Sequence, residues 1–127
     1  MDLVYLYDYK RKGKGKKYNE NDKLIFEGEY INGKKNGKAK EYGFDEVLIF
    51  EGEYLKGKRN GKGKEYNSWD GRLIYEGEYL NGKKNGKGKE YNEFDGRLVY
   101  EGEYLNGKKN GKGKEYNYNG NLEYEGD

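Results

Sequence analysis

Two short motifs recur along the whole chain, and their spacing is the strongest constraint on its fold. The motif Phe/Tyr-Glu-Gly-Glu-Tyr begins at Phe26, Phe50, Tyr75 and Tyr100, and a truncated copy begins at Tyr124. The second motif, Gly-Lys-Gly-Lys-Glu-Tyr with minor variants, begins at Gly13, Gly37, Gly61, Gly86 and Gly111. Its period is 24 or 25 residues. A fixed period of this length indicates a repeat architecture in which each unit packs on its neighbours.

The composition indicates an ordered fold with a thin core. Charged residues make up 39% of the 127 residues and hydrophobic residues only 31%, values close to those of disordered chains. However, the 16 tyrosines recur at fixed spacing, the chain has no proline, and Ser68 is its only serine. We therefore expect a single ordered domain whose core consists of tyrosine rings.

Each repeat has the pattern of a β-hairpin. In the third copy, one run extends from Leu73 to Asn81 and a second from Lys87 to Tyr91, with Asn81-Gly82-Lys83-Lys84-Asn85-Gly86 between them. Asn-Gly pairs supply the positive φ angles that tight turns need, whereas a helix would lose about 1 kcal/mol at each glycine. The fold class predicted is therefore all-β, an elongated single-layer antiparallel meander of stacked β-hairpins.

Side-chain alternation predicts two different faces. Tyr75, Gly77 and Tyr79 share one face, and Glu76 and Glu78 share the other. A turn centred on Lys83-Lys84 would place Tyr79 opposite Gly88 and Glu78 opposite Lys89, and a shift of one residue would exchange the faces. Stacking then predicts two ring ladders. The first is Phe26, Phe50, Tyr75, Tyr100 and Tyr124, and the second is Tyr30, Tyr54, Tyr79 and Tyr104.

The spacing Tyr75-x-Gly77-x-Tyr79-x-x-Gly82-x-x-x-Gly86-x-Gly88 resembles the MORN repeat, and equivalent series begin at Phe26, Phe50 and Tyr100. Ala39 departs from the pattern, and asparagine stands where the family often has histidine (Asn36, Asn60, Asn85 and Asn110). The resemblance implies a MORN-type solenoid. We expect a partial N-terminal cap (1–23), full repeats (24–47, 48–71, 72–96 and 97–120) and a truncated repeat (121–127).

The resemblance also implies a class of function. MORN arrays serve as scaffolds, dimerisation rods and partner-binding modules, and phospholipid binding has been proposed for some. We therefore expect a non-enzymatic scaffold that contacts a protein partner or a second copy of itself, for instance through an open strand edge at 121–127. The alternative is a peripheral membrane-binding module.

Basic pairs are the clearest candidate contact site. Lys34-Lys35, Lys58-Arg59, Lys83-Lys84 and Lys108-Lys109 are predicted to occupy the same turn of successive hairpins. Stacking would align them along one edge, where they could meet anionic lipid headgroups, another acidic partner or, less favoured, nucleic-acid phosphates. The simpler interpretation is that charged turns keep the sheet soluble. Trp69 and Phe94 occupy corresponding inter-repeat turns, either packed on a neighbouring repeat or exposed to a partner.

Other chemistry has little support in the sequence. Gly-Lys-Gly-Lys lacks the Ser/Thr of a phosphate-binding loop, and the recurring Glu-Gly-Glu is more simply a solvated face than a metal or acid–base site. No catalytic residue, cofactor or metal is expected. The formal net charge is +2, which does not indicate nucleic-acid binding. Without cysteine or a long apolar run, a cytoplasmic location is the default, with membrane-peripheral and secreted locations left open.

Overall fold

The computed structural model describes residues 3–6, 12–117 and 119–126. They form one eleven-stranded sheet in which every strand pairs with its neighbours in the chain, always antiparallel. The strands are β1 Leu3–Leu6, β2 Lys12–Tyr18, β3 Leu24–Ile31, β4 Lys34–Tyr42, β5 Leu48–Leu55, β6 Lys58–Tyr66, β7 Leu73–Leu80, β8 Lys83–Tyr91, β9 Leu98–Leu105, β10 Lys108–Tyr116 and β11 Leu122–Gly126. A 3-10 turn, Phe44–Glu46, lies between β4 and β5. The predicted all-β meander is confirmed, and at the usual strand spacing the sheet is about 50 Å long.

The hairpins close at two-residue turns rather than at the basic pairs. Asn81 and Gly82 have φ angles of 50° and 87°, the positive values that a type I′ turn requires. Strand β8 therefore begins at Lys83, and the predicted turn centred on Lys83-Lys84 is wrong. The second Asn-Gly pair, Asn85-Gly86, lies in an irregularity of the strand, where the register shifts by two residues.

The register consequently differs from the predicted one. Tyr79 lies opposite Lys84, not Gly88, and Gly77 lies opposite Gly88. Glu78 lies opposite Lys62 of β6 rather than Lys89. The physical reason is that Asn81-Gly82 follows the sheet twist better than a lysine pair, which has no preference for positive φ.

The core lies on one side of the sheet, which we call the ring face. Its buried side chains are those of Phe26, Tyr30, Ala39, Phe50, Tyr54, Tyr75, Tyr79, Tyr100 and Tyr104. Within the described residues, no polar or charged side chain is buried apart from these tyrosines. Edge-to-face contacts join them: Tyr75 packs on Tyr79 of its own hairpin at 5.6 Å between centroids and on Tyr104 of the next at 5.5 Å. The two predicted ladders thus interlock into one zigzag column. The Tyr124 side chain lies outside the described residues.

Glycine lets the rings lie directly on the backbone. A β-carbon added at Gly88 would lie 2.5 Å from the Tyr75 hydroxyl oxygen, and one at Gly77 would lie 2.6 Å from the Gly88 α-carbon. Such distances exclude a methyl group unless the ring or strand moves. The ring that covers Gly88 is therefore Tyr75, not Tyr79 as the predicted register implied.

Candidate interaction surfaces

The predicted basic stripe is split between the two faces of the sheet. The first member of each pair points to the face opposite the rings, which we call the groove face, because Leu80 pairs with Lys83 and shares the side of Glu76 and Glu78. These first members are exposed: Lys34, Lys58, Lys83 and Lys108. The second members point to the ring face: Lys35, Arg59, Lys84 and Lys109. The prediction that both members lie in the turn is wrong, since each pair begins a strand.

Each second member covers an aromatic ring. The Lys84 ammonium nitrogen lies 4.3 Å from the centroid of the Tyr75 ring. The equivalent contacts are Lys35 over Phe26 at 4.1 Å, Arg59 over Phe50 at 3.9 Å and Lys109 over Tyr100 at 4.5 Å. Cations in this position are attracted by the negative face of the ring. These four residues therefore contribute to the fold.

Ion pairs connect these cations to glutamates in a chain along the ring face. Arg59 lies 3.0 Å from Glu41 and 2.9 Å from Glu65, and Lys84 lies 3.8 Å from Glu65 and 3.9 Å from Glu90. Lys109 extends the chain to Glu115 at 3.1 Å. The core rings are thus covered by alternating charges that neutralise one another.

Tyrosine hydroxyls of the core join the same chain. The Tyr54 hydroxyl donates to Glu41 and the Tyr104 hydroxyl donates to Glu90. Burial, followed by the carboxylate that accepts each proton, raises the pKa of both phenols above the ordinary value. Both rings therefore remain neutral donors at physiological pH.

Two rows of charge line the groove face, because cross-strand partners share a side. One row has one residue from each strand β2 to β11: Lys16, Glu27, Lys40, Glu51, Lys64, Glu76, Lys89, Glu101, Lys114 and Glu125. The sign of the charge alternates from each strand to the next, and neighbouring strands lie about 4.8 Å apart. The second row is Lys14, Glu29, Lys38, Glu53, Lys62, Glu78, Lys87, Glu103 and Lys112. The rows and the glycine backbone between them form a continuous groove of about 2280 Å³.

The groove carboxylates are held by hydrogen bonds within the sheet. Glu76 accepts from the Tyr91 hydroxyl at 2.7 Å, and Glu78 accepts from the Lys87 backbone N–H at 2.8 Å. Burial and the hydrogen bond to Glu76 raise the pKa of Tyr91 to about 12. The other repeats have equivalent bonds, such as Tyr66 to Glu51 at 2.6 Å.

The groove lysines have fewer hydrogen-bond and ion-pair partners within the sheet than the groove carboxylates do. Among those of the described ranges, only Lys114 lies within 4 Å of a carboxylate, at 3.4 Å from Glu125. The glutamates are engaged by tyrosine hydroxyls and backbone N–H groups, and the other lysines that line the groove have no carboxylate within 4 Å among the described residues. The groove can therefore offer hydrogen-bond donors to an occupant.

Asparagines link one repeat to the next beside the hairpin turns. The Asn85 side-chain oxygen accepts from the Asn106 backbone N–H at 3.0 Å, and the Lys84 carbonyl accepts from the Gly107 N–H at 2.8 Å. Asn36 and Asn60 make equivalent bonds. These bonds were not predicted, although the second Asn-Gly pair of every repeat is the signal that marks them.

Three aromatic side chains project from the loops on the other edge. Phe44, Trp69 and Phe94 have exposed fractions of 84%, 91% and 75%. The interpretation that Trp69 and Phe94 pack on a neighbouring repeat is wrong, because the loops hold them outward. The Asn67 side-chain oxygen accepts from the Trp69 N–H at 3.1 Å, and the Arg72 guanidinium donates to the Phe94 carbonyl of the next loop. The rings are thus presented on ordered, interlinked loops.

Clusters of metal-ligand side chains and long apolar helices are both absent from the described residues. No group of three or more potential His, Cys, Asp or Glu ligands occurs among residues 3–6, 12–117 and 119–126. Within the same residues, no helical segment is long and apolar enough to span a membrane.

The fold and the periodic surfaces define a class of protein, the single-layer β-repeat arrays. The MORN repeat pattern matches residues 26–45, 50–71, 75–92 and 100–122, more than half of the chain. The chain belongs to the MORN repeat family. This family is generally a non-enzymatic repeat module and is known in interaction and membrane-associated scaffolds. A search of curated proteins found no match.

Proposed function

We propose that the chain is a non-catalytic interaction scaffold that holds a segment of a partner protein in its groove. The observation that supports this function is the unbroken groove across β2 to β11, whose lysine donors are largely without carboxylates within 4 Å. An extended or helical segment that lies along the groove would contact every repeat. Affinity would then increase with the number of repeats contacted.

The charge pattern favours a polypeptide over a polyanion. Ten lysines and nine glutamates line the groove, so a nucleic acid would meet almost as many like charges as opposite ones. A row whose sign changes at every strand also has little field at a distance, so recognition requires direct contact. A segment with side chains of both signs satisfies such a surface.

Selection from a random peptide display library tests this function. We expect the selected peptides to contain both charges and to bind at least about tenfold less tightly after Lys40→Gln, Lys64→Gln and Lys89→Gln (about 1.4 kcal/mol). The matched control replaces three exposed lysines outside the groove, Lys58, Lys83 and Lys108, with glutamine. An equal loss in both triple variants, or no selected peptide at all, would argue against the groove.

An anionic membrane is the second candidate partner. Lys34, Lys58, Lys83 and Lys108 lie beside the exposed side chains of Ile31, Leu55, Leu80 and Leu105, and paired cations and aliphatic groups suit a lipid surface. The protein should then sediment together with anionic vesicles. It should no longer do so when these four lysines become glutamate, whereas changing four groove lysines to glutamine should leave it bound. Strand pairing between β11 and another copy also stays a prediction, to be checked by light scattering.

A further inference from the structure

The hairpin turns lie along one long side of the sheet and the loops between repeats lie along the other. These two sides, which we call the turn edge and the loop edge, differ in charge. The turn edge consists of residues 31–34, 55–58, 80–83 and 105–108, and it contains five lysines and no carboxylate. The loop edge consists of residues 19–23, 43–47, 67–72 and 92–97, and it contains seven carboxylates and three cations. One edge is therefore basic and the other is acidic.

Each edge also has a row of exposed apolar side chains. Phe44, Trp69 and Phe94 form the row on the loop edge. The row on the turn edge is Ile31, Leu55, Leu80 and Leu105, with exposed fractions of 36% to 50%. A single exposed apolar residue is ordinary, but the same position exposed in successive repeats makes a continuous feature of the surface.

The two rows have the same period. Both recur once every two strands, which is about 10 Å, because they belong to the same ladder of hairpins. The turn edge of one copy can therefore stay in step with the loop edge of another along their lengths. Two turn edges would bring lysines together, and two loop edges would bring carboxylates together, so only unlike edges are complementary.

We propose that the chain associates laterally with a second copy of itself, loop edge against turn edge. Trp69 and Phe94 pack between the aliphatic side chains of the partner copy, and its lysines lie beside the loop carboxylates and the ring faces. Such a heterologous contact leaves an unlike edge free on each side, so it can continue to further copies. This inference extends the proposed scaffold role, but it uses a surface separate from the groove.

The loops that carry these rings have a defined backbone conformation, which supports this contact. In the loop of Trp69, the Asn67 side-chain oxygen accepts from the Trp69 N–H. In the loop of Phe94, the Asn92 side-chain oxygen likewise accepts from the Phe94 N–H at 2.8 Å. Because the backbone that carries the rings is already ordered, it loses little conformational freedom when the rings are buried. Arg72 and Arg97 lie 3.2 Å and 3.7 Å from Asp70 and Asp95, so the rings provide contact area and the remaining charge selects the edge.

Trp69, the only tryptophan, reports directly on the contact. We expect sedimentation velocity over about a hundredfold range of concentration to show growing mass, with a shift of Trp69 emission to shorter wavelength. Phe44→Ser with Phe94→Ser keeps the reporter and should weaken association at least about tenfold (about 1.4 kcal/mol). Leu55→Ser with Leu80→Ser and Leu105→Ser should weaken it similarly. No dependence of mass or emission on concentration would overturn the inference.

Charge reversal provides a stricter test. Asp45→Lys with Ser68→Lys and Glu93→Lys leaves five carboxylates and six cations on the loop edge, so the edge becomes basic. These three side chains make none of the described loop hydrogen bonds. Replacing Lys34, Lys58, Lys83 and Lys108 with glutamate leaves one lysine and four carboxylates on the turn edge, so this edge becomes acidic. Each variant alone should be monomeric, and an equimolar mixture should assemble because its unlike edges meet. Restoration by mixing also shows that both variants are folded.

The remaining outcomes also decide the question. If the mixture stays monomeric while each variant retains circular dichroism like the wild type, the edge contact is wrong. If Trp69 emission responds to anionic vesicles but not to protein concentration, the edges bind lipid and the inference is overturned. Peptide binding in the groove should survive in both edge variants, so failure of lateral association is distinguishable from failure of the groove function.

Discussion

Gly88→Ala tests the packing of rings on bare backbone. The added β-carbon would lie 2.5 Å from the Tyr75 hydroxyl oxygen and 2.7 Å from its Cε1, and Tyr75 is fully buried. The first full repeat accommodates a methyl group at the equivalent position. There, Ala39 takes the place of Gly88 and Phe26, which has no hydroxyl, takes the place of Tyr75.

The expected cost of Gly88→Ala is about 1–3 kcal/mol of unfolding free energy, the usual range for overpacking. Tyr75→Phe alone removes a hydrogen bond of 3.2 Å to the Glu78 carbonyl, so it should cost about 0.5–1.5 kcal/mol. Because this second change removes the atom nearest to the new methyl group, the double variant should be more stable than the sum of the two by about 1 kcal/mol.

Urea unfolding followed by near-ultraviolet circular dichroism of the packed tyrosines measures this coupling. Gly63→Ala is the matched control, because the ring over Gly63 is Phe50, whose nearest atom would lie 2.7 Å from the new β-carbon. Its cost should not depend on Tyr75→Phe. Additivity of Gly88→Ala and Tyr75→Phe within about 0.3 kcal/mol would refute the argument that the hydroxyl limits the space.

Three further predictions concern the turns, the inter-repeat bonds and the groove tyrosines. Lys56 has a φ of 50° where the other hairpins have asparagine, so Lys56→Asn should raise the unfolding free energy by up to about 1 kcal/mol; no change in the urea midpoint would contradict this. Asn85→Ala removes the bond to the Asn106 N–H and should cost about 0.5–1.5 kcal/mol by the same assay. Asn85→Asp keeps the acceptor, so equal losses in the two variants would count against the bond. Burial and the bond to Glu51 raise the pKa of Tyr66 to about 12. Since an unfolded tyrosine titrates near 10, this stabilisation is complete below about pH 10 and is lost as the pH rises through 12. Tyrosinate absorbance and circular dichroism should change together in this range, and a titration complete near pH 10 in the folded protein would be inconsistent with the prediction.

The strands and their faces could be predicted because their signals are local. Alternation placed Tyr75, Gly77 and Tyr79 on one side, and the structure has them there, with the first and last of them buried. The fixed repeat period also predicted stacking in sequence order, which the strand order confirms. Neither inference required knowledge of contacts between distant residues.

The register could not be predicted, because two Asn-Gly pairs competed for most of the turns. All four full repeats have a pair at the position of Asn85-Gly86, and three of them have another at the position of Asn81-Gly82, where the remaining repeat has Lys56-Gly57. Asn81-Gly82 closes the hairpin, and Asn85-Gly86 lies within strand β8, where the register shifts. The choice follows from the accumulated twist and from bonds to the previous repeat, such as Gly82 N–H to the Arg59 carbonyl at 2.8 Å.

This choice also decided the candidate surfaces. The basic pairs looked equivalent in the sequence, but a strand that begins at Lys83 turns Lys83 to the groove face and Lys84 to the ring face. The ion-pair chain from Glu41 to Glu115 depends on contacts between repeats. No short sequence pattern predicts it.

The sequence by itself determined the repeat, the all-β class, the composition of each face and the family resemblance, because these depend on spacing within one hairpin. Only the tertiary structure decided which lysines cover the rings, which line the groove and which edge exposes Trp69. These outcomes depend on register, and in a strand a shift of one residue moves every side chain to the opposite face.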